Sequence, residues 1–210
     1  MSPLSNDRNG LPENRDLLRD LEWLAESREV DDSWPGPGPM LVNLNVWMEQ
    51  LASVGPWYLV AATYAAAQQA RQHWDAWLRE SPEMALESLV DSQPPTQQLE
   101  AVAKWIAAPS DQHKQQALDT IDLTKQLHWF HEEYGDVWFD EPGMWAAESS
   151  EFCVLSLTGD PYSPISTSTL ATISFACAIN SFRRTIKDDV RQPISLILAA
   201  VGQQFEHSPR

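Results

Sequence analysis

The stretch PWYLVAATYAAAQQARQHWDAWLRE, residues 56–80, constrains the fold more than any other part of the chain. Alanine recurs through it, and alanine favours helix because it loses no side-chain entropy there. The first half is apolar nearly all round, and a helix without a polar face has to be enclosed by other elements. The later turns become polar, with Gln and Arg set between Trp74 and Trp77. Pro56 suits a first turn, where its missing N–H would have no intrahelical partner anyway. The stretch predicts one central helix with other elements packed around it.

Punctuation along the chain defines those elements. ENRDLLRDLEWLAESR places Leu17, Leu18, Leu21 and Leu24 on one side of a short amphipathic helix. EVDDSWPGPGPM then forms a linker that no helix crosses. LVNLNVWMEQLASVG reads as a helix ended by Gly55, and SPEMALESLVDS as one opened by a serine cap and a proline. QPPTQQLEAVAKWIAAP repeats the pattern, with Leu99, Val102 and Ile106 as its buried face. Ser110 caps DQHKQQALDTIDLTKQLHWFHEEY, which reads as one continuous helix. Pro142, Gly143, Gly159, Pro161 and Pro164 then bracket a helix from Met144 to Leu155 between two loops. STSTLATISFACAINSFRRTI suits a tightly packed buried helix, although LATISFA alone also suits a strand, and DVRQPISLILAAVGQQF is a last helix. Alternating runs of Val, Ile and Thr are few. The expectation is an all-α, compact, bundle-like domain of about seven or eight helices with irregular packing. Residues 1–35 form a polar tail, a short amphipathic helix and the start of the Pro/Gly linker, and residues 36–207 form a single helical domain.

Composition narrows the function. Thirty acids against 14 bases give a formal charge of −16 and a pI near 4.5, the reverse of the basic patch a nucleic-acid binder needs. The same charge disfavours anionic membrane surfaces, and no apolar run is long enough to insert in a membrane. It suits a basic protein partner drawn in by a negative field. The net charge is −5 over residues 1–35, −4 over 36–109, −9 over 110–165 and +2 over 166–210, where FRRTIKDDVR is the basic cluster. The N-terminus lacks the pattern of a secretory signal. Cys153 and Cys177 belong to no CxxC pair, and they read as buried thiols in a reducing compartment. The expected location is therefore cytoplasmic.

The densest chemistry lies in QLHWFHEEYGDVWFDEPGMW, residues 126–145. His128, His131 and Glu132 stand at i, i+3 and i+4, so on a helix they would share neighbouring turns and could offer a metal two imidazoles and a carboxylate. The spacing is neither that of a zinc peptidase nor that of a zinc finger. His128 also falls in helical phase with Ala117 and Ile121, which points to a histidine beside the core. Leu127, Phe130 and Tyr134 read as a packing stripe. Ten tryptophans form the other anomaly, and Trp is enriched where proteins bind one another. Trp129, Trp138 and Trp145, set among Glu132, Glu133, Asp136 and Asp140, are the candidate protein-binding surface: apolar anchors with an acidic rim. No serine elbow or phosphate-cradling glycine loop occurs, and the sequence implies neither a catalytic residue nor a cofactor.

PSDQHKQQALDTID, GMWAA and STSTLATISFACAI, in that order over roughly residues 97–183, resemble a family of small helical bacterial proteins. Some members of that family are encoded near type VI secretion components. The resemblance implies an accessory or adaptor role in a secretion or toxin-delivery system, and no catalytic residues. The residues themselves leave two alternatives: an immunity protein that neutralises a basic toxin, and a metal-dependent enzyme using His128, His131 and nearby carboxylates. A homo-oligomer is compatible with any of these readings.

Overall fold

The computed structural model describes residues 21–22, 41–80, 93–124, 142–182 and 191–208. Among these residues stand seven α-helices and no strand, which bears out an all-α domain with irregular packing. They are α1 (Val42–Val54), α2 (Pro56–Glu80), α3 (Pro94–Ala107), α4 (Asp111–Leu118), α5 (Pro142–Thr158), α6 (Thr167–Ser181) and α7 (Arg191–Glu206), with a 3-10 turn at Ile121–Thr124.

Helix α2 is central, as its alanine-rich sequence predicts. At 25 residues it is about 37 Å long, and α1, α3, α5, α6 and α7 all pack against it. Ala61, Ala62, Ala66, Ala67 and Ala70 are fully buried, so neighbouring backbones can approach closely. Aromatic rings fill the wider gaps around this alanine column. Trp57 donates its indole N–H to the Ile106 carbonyl of α3 at 3.0 Å. The rings of Trp47 on α1 and Phe175 on α6 meet edge to face at 5.9 Å, and those of Tyr58 and Phe205 on α7 at 5.5 Å.

Helices α5 and α6 form an antiparallel pair that is buried on nearly every side. Ser149 Oγ donates to the Ser174 carbonyl at 2.8 Å, and Ser174 Oγ donates to the Ser149 carbonyl at 2.7 Å. The exchange pins the two helices in register. On its other sides α5 meets α2 through Thr63 and Ser156, whose hydroxyls lie 3.2 Å apart, and α3 through a Ser150 hydroxyl donated to Gln98 Oε1 at 2.7 Å. Gly159 closes α5 in the left-handed region, at φ 79°, returning its N–H to the Leu155 carbonyl at 2.8 Å. Ser166 then caps α6 by accepting from Thr169 N, as Ser110 caps α4 by accepting from His113 N.

One expected element is different. The continuous helix predicted from residue 111 onward stops at Leu118 and gives way to the 3-10 turn. Its sequence there is DTIDLT, in which side chains compete for backbone groups. Thr120 Oγ1 bonds the Ala117 carbonyl, Thr124 Oγ1 bonds the Ile121 carbonyl, and Gln115 holds Asp119 Oδ1. A helical phase counted from Ala117 does not carry through this break to His128.

The N-terminal region touches the body at the two residues described. Leu21 is fully buried in the main core, and Glu22 pairs with Arg191 of α7 at 2.9 Å. The helix predicted over residues 81–92 lies outside the described residues.

Packing is tightest where α5 begins. A Cβ placed on Gly143 would stand 2.4 Å from Trp77 Cβ and 2.6 Å from Trp77 Cγ, at the root of a buried side chain that cannot swing aside. Gly143→Ala should therefore destabilise the fold by about 1–3 kcal/mol despite alanine's better helix propensity. Chemical denaturation checks this, with the loss in midpoint expected at unchanged m-value.

Candidate functional site

Of the sequence-predicted binding residues, Trp129, Glu132, Glu133, Asp136, Trp138 and Asp140 lie outside the described residues, as do the metal candidates His128 and His131. Trp145 is described, and it is turned inward. It sits in the first turns of α5, 3% exposed, packed with Ile173 and Cys177 of α6 and flanked by Phe152. Its ring is part of the interior and presents no face to a partner. Among the described residues, no group of three or more His, Cys, Asp or Glu side chains could hold a metal ion.

What the structure gathers instead is a polar set inside the α5–α6 pair. The Cys177 thiol lies 3.7 Å from Glu148 Oε2 and donates to it. Glu151, one turn further along α5, is 9% exposed, and its charge also reaches Cys177. Burial, then the charge and hydrogen bond of Glu148, then the charge of Glu151 push the Cys177 thiol well above its ordinary range. Asn180 follows Cys177 by nearly one turn and is 4% exposed. Trp145 Nε1 and Asn180 Oδ1 are both buried without a hydrogen-bond partner.

Two further unpartnered atoms, His73 Nε2 and Trp74 Nε1, lie on α2. The His73 ring meets Phe182 edge-on at 4.4 Å, just past α6, and burial lowers its pKa. The Trp74 and Trp77 rings are 5.2 Å apart beside the Gly143 approach. All four atoms therefore sit toward one end of the three-helix core, where α2 and α6 run out and α5 begins. Elsewhere in that core the hydroxyls of Thr63, Ser149, Ser150, Ser156, Thr172 and Ser174 are all engaged. A buried polar group left unpaired costs about 1–3 kcal/mol, so the contrast between the ends is energetically large.

Neither thiol is arranged for chemistry. Cys153 is free and fully buried, and burial pushes its pKa up to about 12 against a weaker opposing hydrogen bond to Thr63. Cys177 is free as well. The thiolate is the nucleophile, and both sites suppress it.

Sequence reading passed over His73, Glu148, Glu151 and Asn180. The signal for His73 was its phase: it follows Ala66 and Ala70 and precedes Trp77 on the buried side of α2. For the other three it was polarity inside GMWAAESSEFCVLSL and LATISFACAINS, segments otherwise apolar or small throughout.

Comparison of the chain with models of protein families, with curated proteins and with solved structures finds no match in any of the three.

Two outcomes follow. Native protein at pH 8 should leave a disulfide-exchange reagent such as Ellman's unreacted over minutes, while denatured protein titrates two thiols. A fast native thiol would contradict the burial of both. His73 acts through pH. Its folded pKa lies below the unfolded value of about 6.5, so the unfolded chain takes the proton first. Its contribution to stability is intact above pH 6.5 and is lost as the pH falls toward the folded pKa, at up to about 1.4 kcal/mol per pH unit. Denaturation of His73→Leu and wild type between pH 7.5 and 5 should show a shallower decline in the variant.

Proposed function

We propose that this chain is a non-catalytic, acidic protein-binding protein, an accessory or adaptor of a bacterial secretion or toxin-delivery system that works in the cytoplasm. The observation that carries the reading is the concentration of negative charge. Residues 110–165 hold a net −9 of the total −16, and aromatic side chains are threaded among the acids from Trp129 to Trp138. Such a surface speeds capture of a basic partner and selects against acidic ones.

The described core supports a binding role over turnover. Its thiols are held protonated and its buried histidine neutral, each by desolvation, and the serine and threonine hydroxyls are engaged in bonds within and between helices. Among the described residues no helix is long and apolar enough to cross a membrane. Two free cysteines accord with a reducing compartment. The secretion-system setting rests on the resemblance carried by PSDQHKQQALDTID, GMWAA and STSTLATISFACAI.

Reversing the charge of Glu132, Glu133, Asp136 and Asp140 together to Lys tests the surface. Partner capture from lysate of the native organism should fall at least tenfold, and more steeply at low salt, with the melting temperature within a few degrees of wild type. Unchanged capture would rule out the acidic surface as the docking site.

A further inference from the structure

We infer that the seam between the start of α5 and the end of α6 binds a small hydroxyl-bearing molecule, which accepts a hydrogen bond from Trp145 Nε1–H and donates one to Asn180 Oδ1. Both atoms are buried and unpartnered, and both side chains belong to residues more than nine-tenths buried. Helix geometry sets the two residues at nearly one level. Ser149 stands opposite Ser174 in the antiparallel pair. At about 1.5 Å rise per residue, Trp145 lies ~6 Å from Ser149 toward the start of α5, and Asn180 lies ~9 Å from Ser174 toward the end of α6. The displacements point the same way, so the two residues differ in level by only ~3 Å. They also share a face. Trp145 packs on Ile173 and Cys177, and residues 173, 177 and 180 form one stripe of α6.

The pair of atoms selects the ligand class. An indole N–H only donates, and an amide oxygen only accepts. A cation would leave the indole unsatisfied, and an anion would leave the amide oxygen unsatisfied. A hydroxyl carries one donor and acceptor lone pairs, so it satisfies both. The neighbouring Cys177 thiol is engaged with Glu148 Oε2. Water and a small alcohol share this chemistry, and water is the common occupant of buried polar sites.

A crystal structure of the full chain reads the site directly. One ordered oxygen is expected within about 2.7–3.2 Å of both Trp145 Nε1 and Asn180 Oδ1, and two dry atoms would overturn the assignment. Thermal melting gives an independent reading. Trp145→Phe and Asn180→Leu each remove one arm of the bridge, so each should melt several degrees lower. The double variant should melt no lower than the worse single, because both lose the same molecule. A rise in melting temperature for either single variant would mean that a dry polar atom had been relieved, and simple additivity would mean that no bridge joins them; each overturns the proposal. Melting wild type and Trp145→Phe with and without ethylene glycol separates the sources. A rise confined to wild type identifies a small alcohol, and equal responses identify water.

Discussion

The exchange of hydroxyls between Ser149 and Ser174 fixes how near α5 and α6 come, and the rest of the core is arranged around that distance. A serine side chain is short, so a bond from it to the opposite helix's carbonyl requires the two backbones to approach closely. Small side chains suit the line of closest contact, and the large Trp145 packs beside it against Ile173 and Cys177. The Ser, Ala, Thr and Cys content of both segments follows from that constraint, as does the alanine column of α2 on the flank. Larger rings fill the wider gaps around that contact, where Trp47 meets Phe175, and Tyr58 meets Trp57 and Phe205, edge to face.

Close packing of this kind trades adaptability for definition. An apolar core can shift by a fraction of an ångström at small cost, whereas helices joined by hydrogen bonds to each other's carbonyls are held in one register. The same rigidity explains why polar atoms left over at one end matter. Where α2 and α6 end and α5 begins, the serine ladder has stopped, and large polar rings and an amide take its place without reciprocal partners. Trp77 packs directly against Gly143 at that end.

Local signals were legible in the sequence, and long-range ones were not. The central helix, the serine caps at 110 and 166, the glycine stop at 55 and the buried face at Leu99 and Val102 depend on neighbours a few residues away, and they stand as read. The helix past Leu118 was misjudged because period alone does not reveal that Thr120 and Thr124 bond their own backbone. Trp145 looked like a surface anchor because acids surround it in sequence, yet the residues that enclose it come from α6. The meeting of Glu148 with Cys177 depends on the α5–α6 register, which no local pattern encodes. The acidic residues from Glu132 to Asp140 lie outside the described residues.

The burial of Leu21 and the pairing of Glu22 with Arg191 bring the opening of the chain onto its last helix. The ion pair is largely solvent-exposed and contributes little, whereas enclosing a leucine contributes about 1.5–3 kcal/mol. Almost the whole polypeptide lies between those partners, so the contact cannot form early while the intervening loop is unstructured. During synthesis Leu21 and Glu22 emerge long before Arg191 exists. Glu22 must wait until α7 has been made before it can pair with Arg191.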